Sequence, residues 1–130
     1  MGKDNSCIRR ILVVDDDECI RELLRLHLSR AGYEVELAED AIAAGHALMR
    51  GLPDLMVVDV EMPYLSGLEL VSIIRADKSI PYFPIVFLTA VQNLWERVRV
   101  LNAAYVTKPV LADTLLAVIA RQGRAIAAAA

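Results

Sequence analysis

Three consecutive aspartates, Asp15, Asp16 and Asp17, follow directly on the apolar run ILVV at residues 11–14. Adjacent carboxylates repel and Asp is a poor strand former, so local structure gives no reason to gather three of them. A nearby cation would. Asp59 closes another apolar run, DLMVVD, Thr89 closes IVFLT, and Lys108 follows the short run AYVT. If Asp15, Asp16 and Asp59 converge, their mutual repulsion reaches roughly several kcal/mol at intermediate effective dielectric, and a hard divalent cation with oxygen ligands removes it. Mg²⁺ is the natural candidate, because it takes one or two carboxylates, keeps waters and gives its remaining positions to phosphate oxygens; Mn²⁺ accepts the same donors. Lys108 and Thr89 would then meet a phosphoryl group on the side away from the metal and donate to its oxygens.

The elements around these residues must bring them together. Hydrophobic patterning gives five strand-like runs, each followed by a helix-like one. ILVV precedes the helix DECIRELLRLHLSRA, whose apolar stripe is Ile20, Leu23, Leu24, Leu28 and Ala31 and whose stop is Gly32. YEVELA alternates as a half-covered strand should, and DAIAAGHALMR follows as a helix stopped by Gly51 and Pro53. DLMVVDV is continuously apolar up to Asp59, the pattern of a strand buried on both faces, and LELVSIIRA is its helix. PIVFLTA, WERVRVL, AYVT and LADTLLAVIARQ complete the alternation. Repeated β-α units force parallel strands with right-handed crossovers, hence a three-layer α/β/α sandwich around a five-stranded parallel sheet. Ligands of such sheets sit outside the carboxyl ends of the strands, which is where all the residues above fall.

The bulk properties leave few other classes open. A chain of 130 residues is one domain, large enough to bury a core without disulfides or a structural metal. A net charge of −3 gives no basic footprint, so direct nucleic-acid binding is not expected. Cys7 and Cys19 have no C-x-x-C spacing and suit free thiols in a reducing compartment, which makes the cytoplasm the default location. No apolar run is long enough to span a membrane, and MGKDNSCIRR lacks the apolar core of a signal peptide. Gly2 and Ser6 do match the short M-G-x-x-x-[ST] myristoylation pattern, which arises often by chance.

ILVVDDD, VVDVEMPYLSG with its D-x-x-M-P-x-x-x-G core, VFLTA and YVTKP, in this order, resemble the receiver domains of two-component response regulators. The resemblance runs from Arg10 to Gln122 and implies an N-terminal extension over 1–9, a receiver domain over 10–122 and a tail or linker stub over 123–130. It implies a flavodoxin-like strand order 2-1-3-4-5, and a switch rather than an enzyme, one that catalyses only its own phosphorylation and dephosphorylation. Asp59 is then the phosphoacceptor, taking its phosphoryl group from a sensor histidine kinase or a phosphotransfer protein. Asp16 is the direct metal ligand, Asp15 acts partly through water, and the Glu61 backbone carbonyl is a further ligand beside Asp59. Thr89, Lys108 and the Ala90 backbone bind the phosphoryl group, Thr89 and Tyr105 form the switch pair, and the Lys108–Pro109 bond is cis. Glu61 and Val91, two residues past Asp59 and Thr89, flank the path of the hydrolytic water and tune dephosphorylation. The face made by the fourth helix, fifth strand and fifth helix would meet a downstream protein, and a phosphorylation-dependent dimer is compatible with it. One departure is the connection LNAAY before the fifth strand, which is shorter than usual in the family.

Plainer readings stand beside these. Asp17 fits a helix N-cap better than a third metal ligand. Asp15 and Asp16 could be turn and cap residues, Thr89 a strand end, Lys108 a solvated surface lysine and Tyr105 a packing residue. His27 and His46 have no third ligand at metal spacing. Trp95 reads as a partner anchor or as a partly buried core residue, and Glu96, Arg97 and Arg99 as a solvated face. Two other functions share some of the pattern. A haloacid dehalogenase-like phosphohydrolase also uses an aspartyl-phosphate and Mg²⁺, but resembles D-x-D where this chain has Glu61. A receiver fold that takes no phosphate would be a fixed interaction module.

Overall fold

The computed structural model describes residues 8–129. Its ten elements alternate in chain order: β1 Arg10–Val14, α1 Glu18–Arg30, β2 Glu34–Ala38, α2 Ala41–Arg50, β3 Leu55–Asp59, α3 Gly67–Ala76, β4 Ile85–Thr89, α4 Trp95–Val100, β5 Ala104–Thr107 and α5 Ala112–Ala129. The strands form one parallel sheet in the order β2-β1-β3-β4-β5. This is the three-layer sandwich and strand order that the sequence implies. Gly2, Ser6 and Cys7, and with them the myristoylation pattern, lie outside the described residues.

Alternation along the central strands builds two cores. Leu12, Val14, Met56, Val58, Ile85 and Phe87 face one side of the sheet, packed with Leu68, Val71 and Ile74 of α3 and Val98 of α4. Ile11, Val13, Leu55, Val57, Val86 and Leu88 face the other, packed with Leu24 and Leu28 of α1 and Leu115 and Ile119 of α5. Complete burial of a side chain such as Leu28 or Ile119 contributes roughly 2–3 kcal/mol relative to exposure. β3 and β4 are buried at every position, which explains why both read as unbroken apolar runs. Two residues of the α1 stripe depart from the expected pattern: Leu23 is 47% exposed and Ala31 lies exposed at the helix end. Leu24 and Leu28 carry the packing, with Ile20 partly buried against the same core.

Local chemistry fixes the helix ends near the site. Asp17 caps α1, its carboxylate accepting from the backbone N–H groups of Cys19 and Ile20. Ser66 and Glu69 form a reciprocal capping box at the start of α3. The short α4–β5 connection closes by a Schellman motif: Ala103 N donates to Val98 O and Asn102 N to Arg99 O, with Asn102 at a φ of 54°. Arg75 of α3 reinforces it by donating to the carbonyls of Leu101, Asn102 and Phe83. The tightened connection is thus built and satisfied. At the two ends of the domain, Ile8 is buried with the α1/α5 core, and α5 continues through Ala129 across the stretch read as tail or linker stub.

Candidate functional site: an acidic pocket with one lysine

Strand register brings the site together. Val14 pairs with Val58, Asp59 with Leu88 and Thr89 with Thr107, so the carboxyl ends of β1, β3, β4 and β5 share one rim. Backbone bonds continue past the strand ends: Asp15 N donates to Ala38 O at 3.1 Å, Val60 N to Leu88 O at 2.9 Å and Lys108 N to Thr89 O at 2.8 Å. These bonds fix the chain where it leaves the sheet. A ligand site assembled there inherits the rigidity of four paired strands.

Carboxylate oxygens of Asp15, Asp16 and Asp59 lie within 4.8 Å of one another. Asp15 and Asp59 are buried, at 1% and 2% exposure, while Asp16 faces solvent. The Asp15 carboxylate accepts from Asp17 N through Oδ1 at 2.9 Å, but its buried Oδ2 has no hydrogen-bond partner. Burial, only partly offset by the Asp17 N–H, pushes Asp15 up to about 6, and the charges of Asp59 and Asp16 push the same way. A buried, partnerless carboxylate oxygen beside two further carboxylates is what a hard cation would satisfy, so the residues present fit Mg²⁺.

Lys108 balances part of this charge. Its ammonium donates to Asp59 Oδ1 at 2.9 Å and stands 3.7 Å from Glu61 Oε1. Burial raises the Asp59 carboxyl above its ordinary range despite that bond and a 3.2 Å bond from Glu61 N. Desolvation pulls Lys108 down, but the Asp59 bond and the charges of Asp59, Asp15 and Glu61 outweigh it, so its pKa is raised and it stays charged. The peptide bond from Lys108 to Pro109 is cis.

Thr89 is fully buried at the end of β4; its Oγ1 accepts from Val91 N at 3.0 Å, and its single proton has two acceptors in reach, Glu61 Oε2 at 3.2 Å and Val91 O at 3.3 Å. Ala90 N donates to Glu61 Oε1 at 3.3 Å. Asp15, Asp16, Asp59, Glu61, Thr89, Ala90 and Lys108 therefore form one connected group. Val91 sits beside it, bonded to Thr89 through its backbone and 47% exposed. Tyr105 lies apart, on the edge strand opposite Phe87, and is one of the residues lining a groove with Trp95, Val98, Arg99, Val118 and Arg121. Trp95 is half exposed and its ring lies under the Arg99 guanidinium at 5.2 Å.

Two contributors were not singled out from sequence. Gly67 packs so closely that a Cβ there would come within 2.2 Å of the Asp59 carbonyl oxygen, and its N–H donates to Val60 O. The glycine closing D-x-x-M-P-x-x-x-G was the available signal, since a close backbone approach is one reason to require glycine. Arg21 donates to the Asp15 carbonyl at 2.6 Å and braces the turn carrying the acidic pair. Nothing in local sequence pairs a helix arginine with that carbonyl.

The family model for the response regulator receiver domain matches residues 11–120. The chain belongs to that family. Receiver-domain membership sets aside the phosphohydrolase alternative. Response regulator MprA of Mycobacterium sp. (strain KMS) is 45% identical over 111 residues, covering 83% of this chain and 47% of the relative. MprA of Mycobacterium leprae (strain TN) is equally similar over 48% of its length, so the receiver spans about half of these curated relatives. Among solved structures, chemotaxis protein CheY4 of Vibrio cholerae superposes with a TM-score of 0.81 at 30% identity, over 88% of this chain and 98% of that one. Response regulator TrrA of Thermotoga maritima, solved in complex with Mg²⁺-BeF, gives 0.78 at 37% identity over 88% and 99%. No helix among the described residues is long and apolar enough to cross a membrane.

Proposed function

We propose that this receiver is a phosphorylation-controlled switch in which Asp59 accepts a phosphoryl group from the phosphohistidine of a sensor histidine kinase or phosphotransfer protein. The observation that carries this reading is the setting of Asp59: buried at the end of the central strand, bonded to Lys108 at 2.9 Å and clustered with the carboxylates of Asp15 and Asp16. An Asp59 oxygen forms the new P–O bond as the donor's P–N bond breaks, and the departing imidazole keeps the electron pair and takes a proton. Asp16 and Asp59, with Asp15 and the Glu61 carbonyl, would hold Mg²⁺, which supplies charge neutralisation among the carboxylates and the phosphoryl oxygens. Lys108, Thr89 and the Ala90 N–H are placed at strand ends where they can donate to those oxygens.

Charge added at Asp59 is read by Thr89, and Tyr105 couples the change to the α4-β5-α5 face. The groove on that face, about 360 Å³ in volume, is where a downstream protein would bind. Val91, at the rim beside Thr89, and Glu61 set access of the hydrolytic water and so the lifetime of the phosphorylated state. Work in the cytoplasm, with phosphorylation-dependent pairing of two receivers, is compatible with this scheme.

The test is incubation with a small-molecule phosphodonor, with Mg²⁺ or with chelator, followed by intact mass. The receiver should gain one phosphoryl group only with Mg²⁺, and Asp59→Asn should gain none, because the amide is nearly isosteric but a far weaker nucleophile. An Asp59→Asn protein phosphorylated as fully as the parent would refute the assignment.

A further inference from the structure

The donors assigned above to the phosphoryl oxygens already hold an anion. Glu61 Oε2 takes the Thr89 hydroxyl at 3.2 Å, Oε1 takes the Ala90 N–H at 3.3 Å, and Lys108 Nζ stands 3.7 Å from Oε1. The two oxygens of one carboxylate thus spread over a hydroxyl, a backbone amide and an ammonium brought from the ends of β4 and β5. Chain geometry explains the reach. The Glu61 N–H donates to Asp59 Oδ1, which holds the residue against the strand end while its side chain extends across to β4.

We propose that Glu61 is an internal occupant of the phosphoryl-oxygen site, and that its carboxylate must leave Thr89, Ala90 and Lys108 before an anionic group on Asp59 can take them. The inference rests on the phosphoacceptor reading above and adds a competitor built into the chain. Two features make the competition reversible. The Glu61 side chain is 42% exposed, so it can swing into water, and its hydrogen bonds of 3.2 and 3.3 Å are longer than good charge-assisted ones. A carboxylate left beside the newcomer also opposes it through like charge, at about 1 kcal/mol for a separation near 4 Å even in water. Glu61 therefore raises the threshold for occupying the site. Release of Glu61 leaves the Thr89 hydroxyl a second acceptor, Val91 O at 3.3 Å, which lowers the cost of the exchange.

The probe is beryllofluoride, which adds to a carboxylate oxygen and imitates its phosphoryl form. It would be titrated at saturating Mg²⁺ into the parent, Glu61→Gln, Glu61→Ala and Asp59→Asn, with binding followed by ¹⁹F NMR or calorimetry. Glu61→Ala should bind about tenfold tighter than the parent, equivalent to about 1.4 kcal/mol. Glu61→Gln, which keeps the length but loses the charge, should also bind tighter, by a smaller factor. Equal or weaker binding by both variants would overturn the inference and leave the phosphoacceptor reading intact. A parent that binds Mg²⁺ but no beryllofluoride, or an Asp59→Asn protein that binds it normally, would overturn the site reading and the inference with it.

Discussion

Asp15→Asn should stabilise the metal-free protein at neutral pH and do little at low pH. The wild-type carboxyl is buried with its Oδ2 unpartnered and lies near two other carboxylates, which places its pKa at about 6 against an ordinary 3.8. A folded-state pKa above the unfolded one means that the folded protein binds the proton more tightly. The carboxylate therefore opposes folding fully above about pH 6, and this opposition fades as pH falls toward 4. At about 1.4 kcal/mol per pKa unit, the gap corresponds to roughly 3 kcal/mol at pH 8. Asparagine keeps the acceptor for Asp17 N and turns an N–H₂ toward Asp16 and Asp59, but it remains a buried polar group. We expect it to recover about half of that, on the order of 1–2 kcal/mol. Urea unfolding in chelator at pH 8 and pH 4, parent against variant, measures the difference directly. A variant less stable than the parent at pH 8, or a gain of equal size at both pH values, would refute the reasoning.

Other consequences can be measured independently. The metal-free parent should itself become more stable as pH is lowered from 7 toward 5, and added Mg²⁺ should abolish that trend; a flat profile without metal would contradict the burial argument. Asp16→Ala should weaken Mg²⁺ binding by roughly tenfold or more in a calorimetric titration, since it removes an exposed member of the carboxylate cluster without opening the core. Gly67→Ala should lower stability by about 2 kcal/mol or more and slow phosphorylation, because its Cβ would collide with the Asp59 carbonyl; full stability and rate would show that the turn relaxes freely. Val91→Glu or Val91→Asn should hasten loss of the phosphoryl group by roughly tenfold, on the order of 1.4 kcal/mol of barrier, when decay is followed by intact mass after donor removal.

Particular residues show what was legible in the sequence. β3 and β4 could be read because both their faces are covered, which erases alternation and leaves unbroken apolar runs ending at Asp59 and Thr89. The grouping of Asp15, Asp59, Thr89 and Lys108 followed from one topological rule, since every parallel strand delivers its carboxyl end to the same rim. Asp17 as a cap was legible from residue type and position alone. Leu23 was misplaced because the apolar stripe of a helix is wider than the strip its neighbours cover, and only packing decides which edge is left out. The path of the Glu61 side chain could not be read at all, because a long exposed carboxylate has many rotamers and its choice depends on donors contributed by two distant strands. The short connection before β5 was visible as a length, but its closure by Asn102 and Arg75 depends on tertiary bonds.

Mapping the phosphoryl group to a single side chain decides whether Asp59 is the phosphoacceptor. The phosphorylated receiver would be reduced with borohydride, which converts an aspartyl-phosphate to homoserine, then digested and sequenced by tandem mass spectrometry. Homoserine is expected at position 59 alone, formed only when Mg²⁺ accompanied the donor. Homoserine at position 15 or 16, or a phosphoryl group that resists borohydride and remains on another residue type, would contradict that assignment.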